Sequence, residues 1–440
     1  MSANLPSRRD WLRWALATGI GSAAAMLNPG FSSAAPRTNV RLGFIGVGQR
    51  GLGHVQRTIR RPDVEVPAIC DIDANRLAHA LQVVEQSKGK KPEGYSAGEE
   101  DYQRMVVRDD LDGVIVSTPW RWHGPMTIAT MKAGKYAGVE TPGLIELQEC
   151  FDVVRVWKET GAPCMLLENV CYGRRELAIL NMVRQGLFGE ITHCACGNQH
   201  DVRPYQVGAD GTLGWFGQHL AAKNRNWSPS HGVGPVCEYI DINRGNRFLY
   251  LTSTASKSRG YARYMAARFG PDHPDARREF ACGDVVTTVL KCHHGETVVC
   301  NYDHQSPRPY SHMLRVQGTK GLFMEDGNSI HAEGRRPGKY GEPDDKYQEE
   351  FEHPLWKRFG EEARNAGHNG MDFFIDHAFV ESVKRRAHPP IDTWDTATWS
   401  AIIALSEQSH ARGSAPVEFP DFTEGKWATN PRIFGLNEEY

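Results

Sequence analysis

The sequence predicts a protein of the α/β class with two folded domains. The first is built on a parallel sheet, and the second is an α+β domain with a largely antiparallel sheet. The chain has 440 residues, more than one ordinary domain. Short apolar runs alternate with helical patterns up to residue 168, which is typical of parallel βα units. Beyond that point, several strand-like runs follow one another.

The composition fits a globular protein and narrows the class of partner. Hydrophobic residues make up 40% and charged residues 24%, so the chain can bury a large core. Lys and Arg total 51 against 53 for Asp and Glu, and this near-balance argues against a nucleic-acid-binding protein. The long apolar run lies near the N-terminus, so we expect no membrane-embedded body.

Residues 1–34 have the layout of a signal peptide. Arg8 and Arg9 precede a modest apolar stretch, and the small residues Ser32 and Ala34 follow it. The paired arginines predict export through the Tat machinery, with a periplasmic or secreted destination. An uncleaved anchor is the alternative, although the apolar run is short for a span. The ten cysteines form no C-x-x-C pair, so we expect buried thiols and no metal site.

The first predicted strand, residues 40–45, leads directly into a glycine fingerprint. Gly46, Gly48 and Gly51 form a complete G-x-G-x-x-G, and residues 51–61 have a helical pattern. Such glycines permit a tight turn and let a pyrophosphate approach the helix N-terminus, where free amides favour negative charge. The sequence therefore predicts a dinucleotide-binding Rossmann domain, which we place at residues 38–168, with the second domain at 169–440.

An acidic residue follows at the position that such a domain requires. The second predicted strand, residues 64–70, ends at Asp71, which lies twenty positions after Gly51. A carboxylate there bonds the adenosine ribose hydroxyls and repels a 2′-phosphate, which favours NAD over NADP. A glycine-rich turn without a ligand is the alternative, but strand, fingerprint, helix, strand and acid occur here in the required order.

Three later strands of this domain should deliver polar side chains to one crevice. The carboxyl ends of parallel strands meet at the ligand-binding edge of an open sheet. We predict strands at residues 112–119, 136–140 and 164–168. The residues at the ends of these strands or directly after them are Trp120, Arg121, Trp122, His123, Glu140, Thr141 and Asn169. Either tryptophan could instead simply pack against a helix.

The second domain offers few polar candidates for chemistry. His231 stands at the start of a helix that we predict to extend through Asp241 to Arg244, and an imidazole titrates near neutrality. A capping or core histidine is the alternative. His200 follows a predicted strand, and Tyr310 lies in a turn from which it could contact a sugar or simply pack. We predict later strands at residues 285–293, 297–304, 312–316 and 322–325, and late helices at 371–386 and 396–412.

Several motifs together resemble one known family. They are Trp120-Arg121-Trp122-His123, Glu168-Asn169-Val170-Cys171-Tyr172, Gln199-His200-Asp201, Ser230-His231-Gly232-Val233-Gly234-Pro235, Asp241-Ile242-Asn243-Arg244-Gly245 and Arg308-Pro309-Tyr310. From about Val40 to about Trp427 the chain resembles glycoside hydrolase family 109, the NAD-dependent α-N-acetylgalactosaminidases of the Gfo/Idh/MocA oxidoreductase superfamily. The resemblance implies that NAD contacts Gln49, Arg50, Asp71, Trp120, Arg121, Trp122, His123, Glu140, Thr141, Asn169, Ser228, Pro229, Ser230 and His231. It also implies that Tyr310 contacts the sugar.

The chain departs from the patterns it resembles at several positions. The superfamily's dehydrogenases usually carry Glu-Lys-Pro where this chain has Glu140-Thr141-Pro142, and Thr141 fits the glycosidase branch better. Two tyrosines of the family correspond to Asn198 and Ser228, which we place at the substrate. Phe216 aligns loosely with a substrate-contacting arginine. The sugar and its anomer therefore stay open.

The resemblance implies a glycosidase that oxidises its carbohydrate substrate transiently. C3 of the sugar is oxidised, the C2 proton is removed, the glycosidic oxygen leaves, water adds and C3 is reduced again. His231 is the candidate base, and His200 is a second acid–base candidate. The alternatives are an NAD-dependent sugar or polyol oxidoreductase and a non-catalytic carbohydrate-binding protein that retains NAD. The sequence leaves open whether the chain forms a homo-oligomer.

Overall fold

The computed structural model describes residues 36–335 and 338–440. The predicted signal segment, residues 1–34, lies outside the described residues. Within them the chain forms two sheets, one wholly parallel and one mostly antiparallel, which confirms the predicted fold class. Among the described residues, no helix is both long enough and apolar enough to cross a membrane.

The N-terminal sheet has six parallel strands within the described residues, in the order β3-β2-β1-β4-β5-β6. The strand order reverses at β1, and this switch point opens the crevice in which such sheets bind ligands. The strands are β1 (Val40–Ile45), β2 (Val64–Cys70), β3 (Glu93–Tyr95), β4 (Gly113–Val116), β5 (Tyr136–Val139) and β6 (Cys164–Leu166). The helices between them are α1 (Gln49–Thr58), α2 (Ala74–Lys88), α3 (Tyr102–Val106), α4 (His123–Lys132) and α5 (Leu147–Thr160).

The second sheet has nine strands within the described part of the chain, and its pairs are antiparallel except for β7 with β10. Its strands are β7 (Ile191–Gln199), β8 (Phe248–Ala255), β9 (Val286–Cys292), β10 (Thr297–Asp303), β11 (Arg315–Gly318), β12 (Gly321–Met324), β13 (Ser329–Ala332), β14 (Glu342–Pro343) and β15 (Val417–Glu418). The helices of this half are α6 (Arg174–Arg184), α7 (Trp215–Ala222), α8 (Ser230–Tyr239), α9 (Gly260–Phe269), α10 (Asp345–Glu350), α11 (Pro354–Ala363), α12 (Met371–Arg385) and α13 (Thr393–Ala411).

The last two long helices return to the N-terminal sheet. α13 covers the edge strand β6, where the Cys164 amide donates to Thr393 Oγ1 and the Leu166 amide to Thr396 Oγ1, both at 3.0 Å. These hydroxyls occupy edge amides that would otherwise be free to pair with another chain. α12 packs against α1, the helix that begins in the glycine fingerprint. The C-terminal half therefore supports the fingerprint directly.

Two predicted elements were wrong in extent. α8 ends at Tyr239, so Asp241, Asn243 and Arg244 lie beyond it rather than on it. Asp241 and Asn243 adopt positive φ values of 57° and 67°, which a continuing helix does not permit. The strand predicted from residue 312 begins only at Arg315. All ten cysteines are buried and free.

Candidate active site

A cavity of about 1100 Å³ opens at the carboxyl ends of the parallel strands. Its floor is the glycine fingerprint. Gly46 has φ 81°, and a Cβ there would lie 2.7 Å from the Ser117 carbonyl oxygen. A Cβ on Gly51 would lie 1.9 Å from the Gly46 carbonyl oxygen, so both positions must be glycine for the turn to close.

Gly48 is different, because a Cβ at this position would clash with no other atom. A Cβ on Gly48 would meet its nearest atom, Arg76 Nη1, at an ordinary 3.5 Å. Gly48 is also the N-cap of α1, whose first turn has no side-chain cap and no acidic residue. The amides at this helix start are therefore available to an anion such as a pyrophosphate.

Asp71 follows β2 at the edge of the same cavity, and its side chain is held by backbone amides. Oδ2 accepts from the Val47 amide at 2.7 Å, and Oδ1 accepts from the Asp73 amide at 2.8 Å. Each carboxylate oxygen keeps a second lone pair. Asp71 is thus fixed beside the fingerprint with acceptors left for ribose hydroxyls.

The residues after β4 combine packing with site formation. Trp120 is buried and packs against Trp227, Phe216 and Trp215, with ring centroids 5.8, 4.3 and 5.3 Å away. His123 has Nδ1 3.0 Å from the Gly143 carbonyl oxygen and Nε2 2.8 Å from that of Thr118. Its ring therefore ties two strand-end loops together.

The neighbouring side chains of that loop lie nearer the solvent. The Arg121 side chain is mostly exposed and pairs with Glu99 at 2.7 Å. Trp122 lies edge-on against Tyr102. Both residues line the cavity, where they are available to a ligand.

Arg50 and Glu140 lie at the centre of a buried ionic network. Arg50 Nε is 2.6 Å from Glu140 Oε1, and its Nη1 is 2.7 Å from Asp372 Oδ2 on α12. His54, fully buried, places Nε2 2.7 Å from Glu140 Oε1 and Nδ1 against Asp376. Burial alone would lower the pKa of His54, but the charges and hydrogen bonds of the two carboxylates raise it.

The same network fixes the strand-end carboxylate in its charged form. Burial alone would raise the pKa of Glu140, but Arg50 and His54 hold it well below its usual range. The sequence singled out Arg50 and Glu140 but missed His54, Asp372 and Asp376. A faint signal existed, because His54 lies four residues after Arg50 and so on the same helix face.

His231 lines the cavity and forms a close pair with the buried Glu168. His231 Nδ1 lies 2.6 Å from Glu168 Oε1, which also accepts from the Val170 amide at 3.1 Å. Burial alone would lower the pKa of His231, but the charge and hydrogen bond of Glu168 outweigh it and raise the pKa. His231 lines the cavity, and its Nε2 has no hydrogen-bond partner among the described residues. Sequence reasoning singled out His231 but missed its partner, although Glu168 directly precedes Asn169 at a strand end.

Four further polar residues of the cavity lining are uncharged at pH 7, namely Asn198, His200, Ser228 and His304. Asn198 Nδ2 donates to Ser228 Oγ at 2.9 Å, and both residues are buried. Burial lowers the pKa of His200 despite the charge of Asp201. Burial also lowers the pKa of His304 to about 3, and the sequence did not single out this residue.

Tyr310 lies at the rim of the cavity, with 53% of its surface exposed. Its hydroxyl lies 2.6 Å from His312 Nε2. Burial lowers the pKa of His312 to about 3, so that ring is neutral at pH 7 and accepts the phenolic proton. The lone pairs of the Tyr310 oxygen then remain for a ligand.

The structure brings most of the predicted site residues to this one cavity. The lining residues that the sequence predicted are Gly46, Gly48, Gln49, Arg50, Asp71, Trp120, Arg121, Trp122, His123, Glu140, Thr141, Asn169, Asn198, His200, Ser228, His231 and Tyr310. Gly51, Pro229 and Ser230 are not among the lining residues. Gly51 shapes the turn from behind, and Ser230 is fully buried within the start of α8.

These residues fit a nicotinamide dinucleotide. The cavity exceeds the roughly 300–1000 Å³ of a typical ligand pocket, so it has room for an extended ligand. Asn169 Oδ1 and Ser117 Oγ are buried without a hydrogen-bond partner, and both residues line the cavity. A bound ligand that offers a hydrogen-bonding group at these positions would satisfy both atoms.

The family models match both halves of the chain. Residues 40–167 match an oxidoreductase family with an NAD-binding Rossmann fold, which confirms NAD as the predicted cofactor. Residues 172–429 match the C-terminal domain of glycosyl hydrolase 109.

Known proteins resemble the chain over nearly its whole length. A glycosyl hydrolase family 109 protein of Stenotrophomonas maltophilia is 44% identical over 97% of this chain and 98% of the relative. An alpha-N-acetylgalactosaminidase of Tannerella forsythia is 39% identical over 98% of this chain and 99% of the relative. The scyllo-inositol dehydrogenase of Lactobacillus casei, solved with NAD(H) and scyllo-inositol, shares the fold at TM-score 0.59 and 14% identity, over 87% of this chain and 99% of that chain.

Proposed function

The chain belongs to glycoside hydrolase family 109, and from that membership and the cavity we propose that it hydrolyses α-N-acetylgalactosaminide-like glycosides with a bound NAD. One observation carries the proposal. His231, whose Nδ1 is held by the buried Glu168, lines the same cavity as Gly46 and Gly48 of the fingerprint, so a base and the cofactor site share one cavity. A dinucleotide-binding fold alone would not choose this reaction.

When bound, NAD supplies a reversible oxidation of the sugar, which acidifies the hydrogen on the carbon next to the new ketone. His231 Nε2 is positioned to take that proton, because Nδ1–H is committed to Glu168. The carboxylate then stabilises the imidazolium that forms. The leaving aglycone oxygen gains a proton, and the attacking water releases one when its oxygen bonds to the sugar. His231, whose proton exchanges with solvent in the meantime, then protonates the carbon again, so the net reaction is hydrolysis.

The other predicted residues have supporting roles. His200 is neutral at pH 7 because burial lowers its pKa, which suits it to accept a proton from the attacking water. Tyr310 keeps oxygen lone pairs for a sugar hydroxyl, since its O–H donates its hydrogen bond to His312 Nε2. Asn198 and Ser228 offer a small, buried polar surface in the lining of the cavity.

The experiment uses protein purified without added NAD and a panel of nitrophenyl α- and β-glycosides. We expect many turnovers per enzyme without external cofactor, and hydrolysis in D₂O should place deuterium on the carbon that His231 deprotonates. A variant with His231→Ala should retain the nucleotide and lose roughly 10²- to 10⁴-fold in kcat.

Other outcomes would favour other functions. A sugar or polyol oxidoreductase would stop after about one turnover per bound NAD unless a second substrate were added. A carbohydrate-binding protein without activity would give no turnover for His231→Ala to reduce. Hydrolysis without deuterium in the product would contradict the proposed base.

Export through the Tat machinery stays part of the proposal. The support is the Arg8-Arg9 pair followed by an apolar stretch and small residues. A recycled cofactor carried inside a folded protein suits a compartment without free NAD. Cell fractionation of the full chain and of an Arg8→Lys/Arg9→Lys variant tests this, since the variant should accumulate in the cytoplasm.

A further inference from the structure

The half of the cavity that faces the second domain carries no fixed charge of its own. Its described lining residues between positions 198 and 310 include no Asp, Glu, Lys or Arg. They are Asn198, His200, Val202, Trp215, Ser228, His231, His304 and Tyr310. His231 is charged only when it is protonated, and the Glu168 carboxylate then lies 2.6 Å from its Nδ1. A charged group on a ligand would lose its hydration here without gaining a counter-charge, which is costly.

The residues of this half are polar and buried at its inner end but aromatic and exposed at its opening. The polar residues at the inner end are buried, with Asn198 at 5%, Ser228 at 4% and His304 at 5% exposure. The rim is aromatic and open, with Trp215 at 43% and Tyr310 at 53% exposure. A reacting sugar must lie deep enough to meet His231, so the group attached to it must point outward past the rim.

Trp215 is held as a fixed surface at that rim. It is the first residue of α7, and its ring packs edge-on against Trp120, Phe216 and His219 at centroid distances of 5.3, 5.7 and 6.1 Å. Neighbouring rings fix its orientation, yet nearly half of it remains exposed beside the cavity. An exposed indole face offers a large apolar surface whose negative π face attracts the C–H groups of a ring laid on it.

We infer that Trp215 is a platform for the aglycone, and that the enzyme selects uncharged glycosides whose leaving group is itself a ring, such as a second sugar. The inference rests on the proposed function, because it assumes that a glycosidic bond is broken beside His231. It adds a binding subsite outside the reacting sugar, formed by a residue that the cofactor and the base do not use.

The activity test compares two uncharged substrates, phenyl and methyl α-N-acetylgalactosaminide. With Trp215→Ala we expect kcat/KM to fall about 3- to 10-fold for the phenyl glycoside, mainly through KM, and less than about twofold for the methyl glycoside. Trp215→Phe should retain most of the preference for the phenyl over the methyl glycoside, since an aromatic ring remains at this position. Tyr250→Ala, which removes a half-exposed ring outside the cavity lining, is the matched control and should change neither substrate.

A binding test keeps the inference independent of turnover. Calorimetry on the NAD-loaded His231→Ala protein should show tighter binding of the phenyl than of the methyl glycoside, and Trp215→Ala should remove that preference. A phenyl galacturonide should bind at least about tenfold more weakly than the phenyl galactoside. Equal losses for both glycosides in Trp215→Ala, or no loss for either, would overturn the platform. Absence of turnover in the unaltered enzyme with the binding preference intact would overturn the proposed function alone.

Discussion

His231 Nδ1 lies 2.6 Å from Oε1 of the fully buried Glu168, and this contact decides which nitrogen of the imidazole meets the cavity. With Nδ1–H donated to the carboxylate, the neutral ring presents the lone pair of Nε2. Two elements supply the pair, since Glu168 follows β6 of the parallel sheet and His231 lies in the first turn of α8. The base is therefore assembled across the two halves of the chain.

Glu168→Gln should remove the base without removing the histidine. A glutamine can offer an N–H to Nδ1, which favours the tautomer with its proton on Nε2. We expect kcat to fall roughly 10²- to 10⁴-fold while bound NAD is retained. Steady-state kinetics with nucleotide content by absorbance measures this. Glu159→Gln, on an exposed part of α5, is the control and should change neither kcat nor the nucleotide content. Loss of the nucleotide together with activity would instead mean that Glu168 maintains the structure of the site.

The pH dependence of hydrolysis should follow His231. Because Glu168 raises the pKa of His231 above its ordinary value of about 6.5, the base is progressively protonated as the pH falls through that raised pKa. We therefore expect kcat/KM to fall as the pH is lowered, with the midpoint of that fall above pH 6.5. Without the carboxylate charge the pKa falls, so the residual activity of Glu168→Gln should show its midpoint at lower pH. A midpoint that stays in place in the variant would assign the titration to another group.

Alanine at two glycines of the fingerprint should separate cofactor binding from folding. A Cβ on Gly51 collides with the Gly46 carbonyl oxygen, so Gly51→Ala should destabilise the protein by roughly 1–3 kcal/mol. A Cβ on Gly48 meets no atom closer than 3.5 Å, so Gly48→Ala should change stability by less than about 0.5 kcal/mol. Its methyl group would nevertheless occupy the approach of the pyrophosphate. Urea unfolding and nucleotide content together test this, and a fully loaded Gly48→Ala protein would contradict the cofactor position.

The parallel sheet and its ligand edge were predictable because they depend on local patterns. Apolar runs, glycines and an acid at fixed spacing predict that Gly46, Asp71 and Glu140 lie at one edge of the sheet. Periodicity failed where tertiary contacts decide. The chain leaves the helix after Tyr239 through residues of positive φ. The strand-like run from residue 312 does not begin as a strand, because His312 instead hydrogen-bonds the Tyr310 hydroxyl.

The partners of the predicted residues could not be read from sequence. Asp372 and Asp376 lie more than 300 positions from Arg50 and His54, and no local pattern connects them. The same holds for His231 and Glu168, which are 63 positions apart. Residue type and strand-end position could nominate a functional residue, but the burial that shifts its pKa comes from the fold.

The buried network around His54 should make stability depend on pH in a defined direction. His54 is enclosed between Glu140 and Asp376, which raise its pKa. Removing it leaves buried carboxylates less well paired, so His54→Ala should cost roughly 3–5 kcal/mol of unfolding free energy at pH 6. A group whose pKa is raised by folding stabilises the folded protein fully at pH values below its pKa in the unfolded protein, about 6.5. This contribution is lost as the pH rises through the pKa of the folded protein.

The difference between the unaltered protein and His54→Ala should therefore shrink at alkaline pH. Urea unfolding at several pH values from 6 to 10 measures it. Arg155→Ala removes an exposed ion pair and should cost less than about 0.5 kcal/mol at every pH. A constant difference across the range would mean that His54 is neutral in the folded protein and that Arg50 and Arg57 alone balance the two carboxylates.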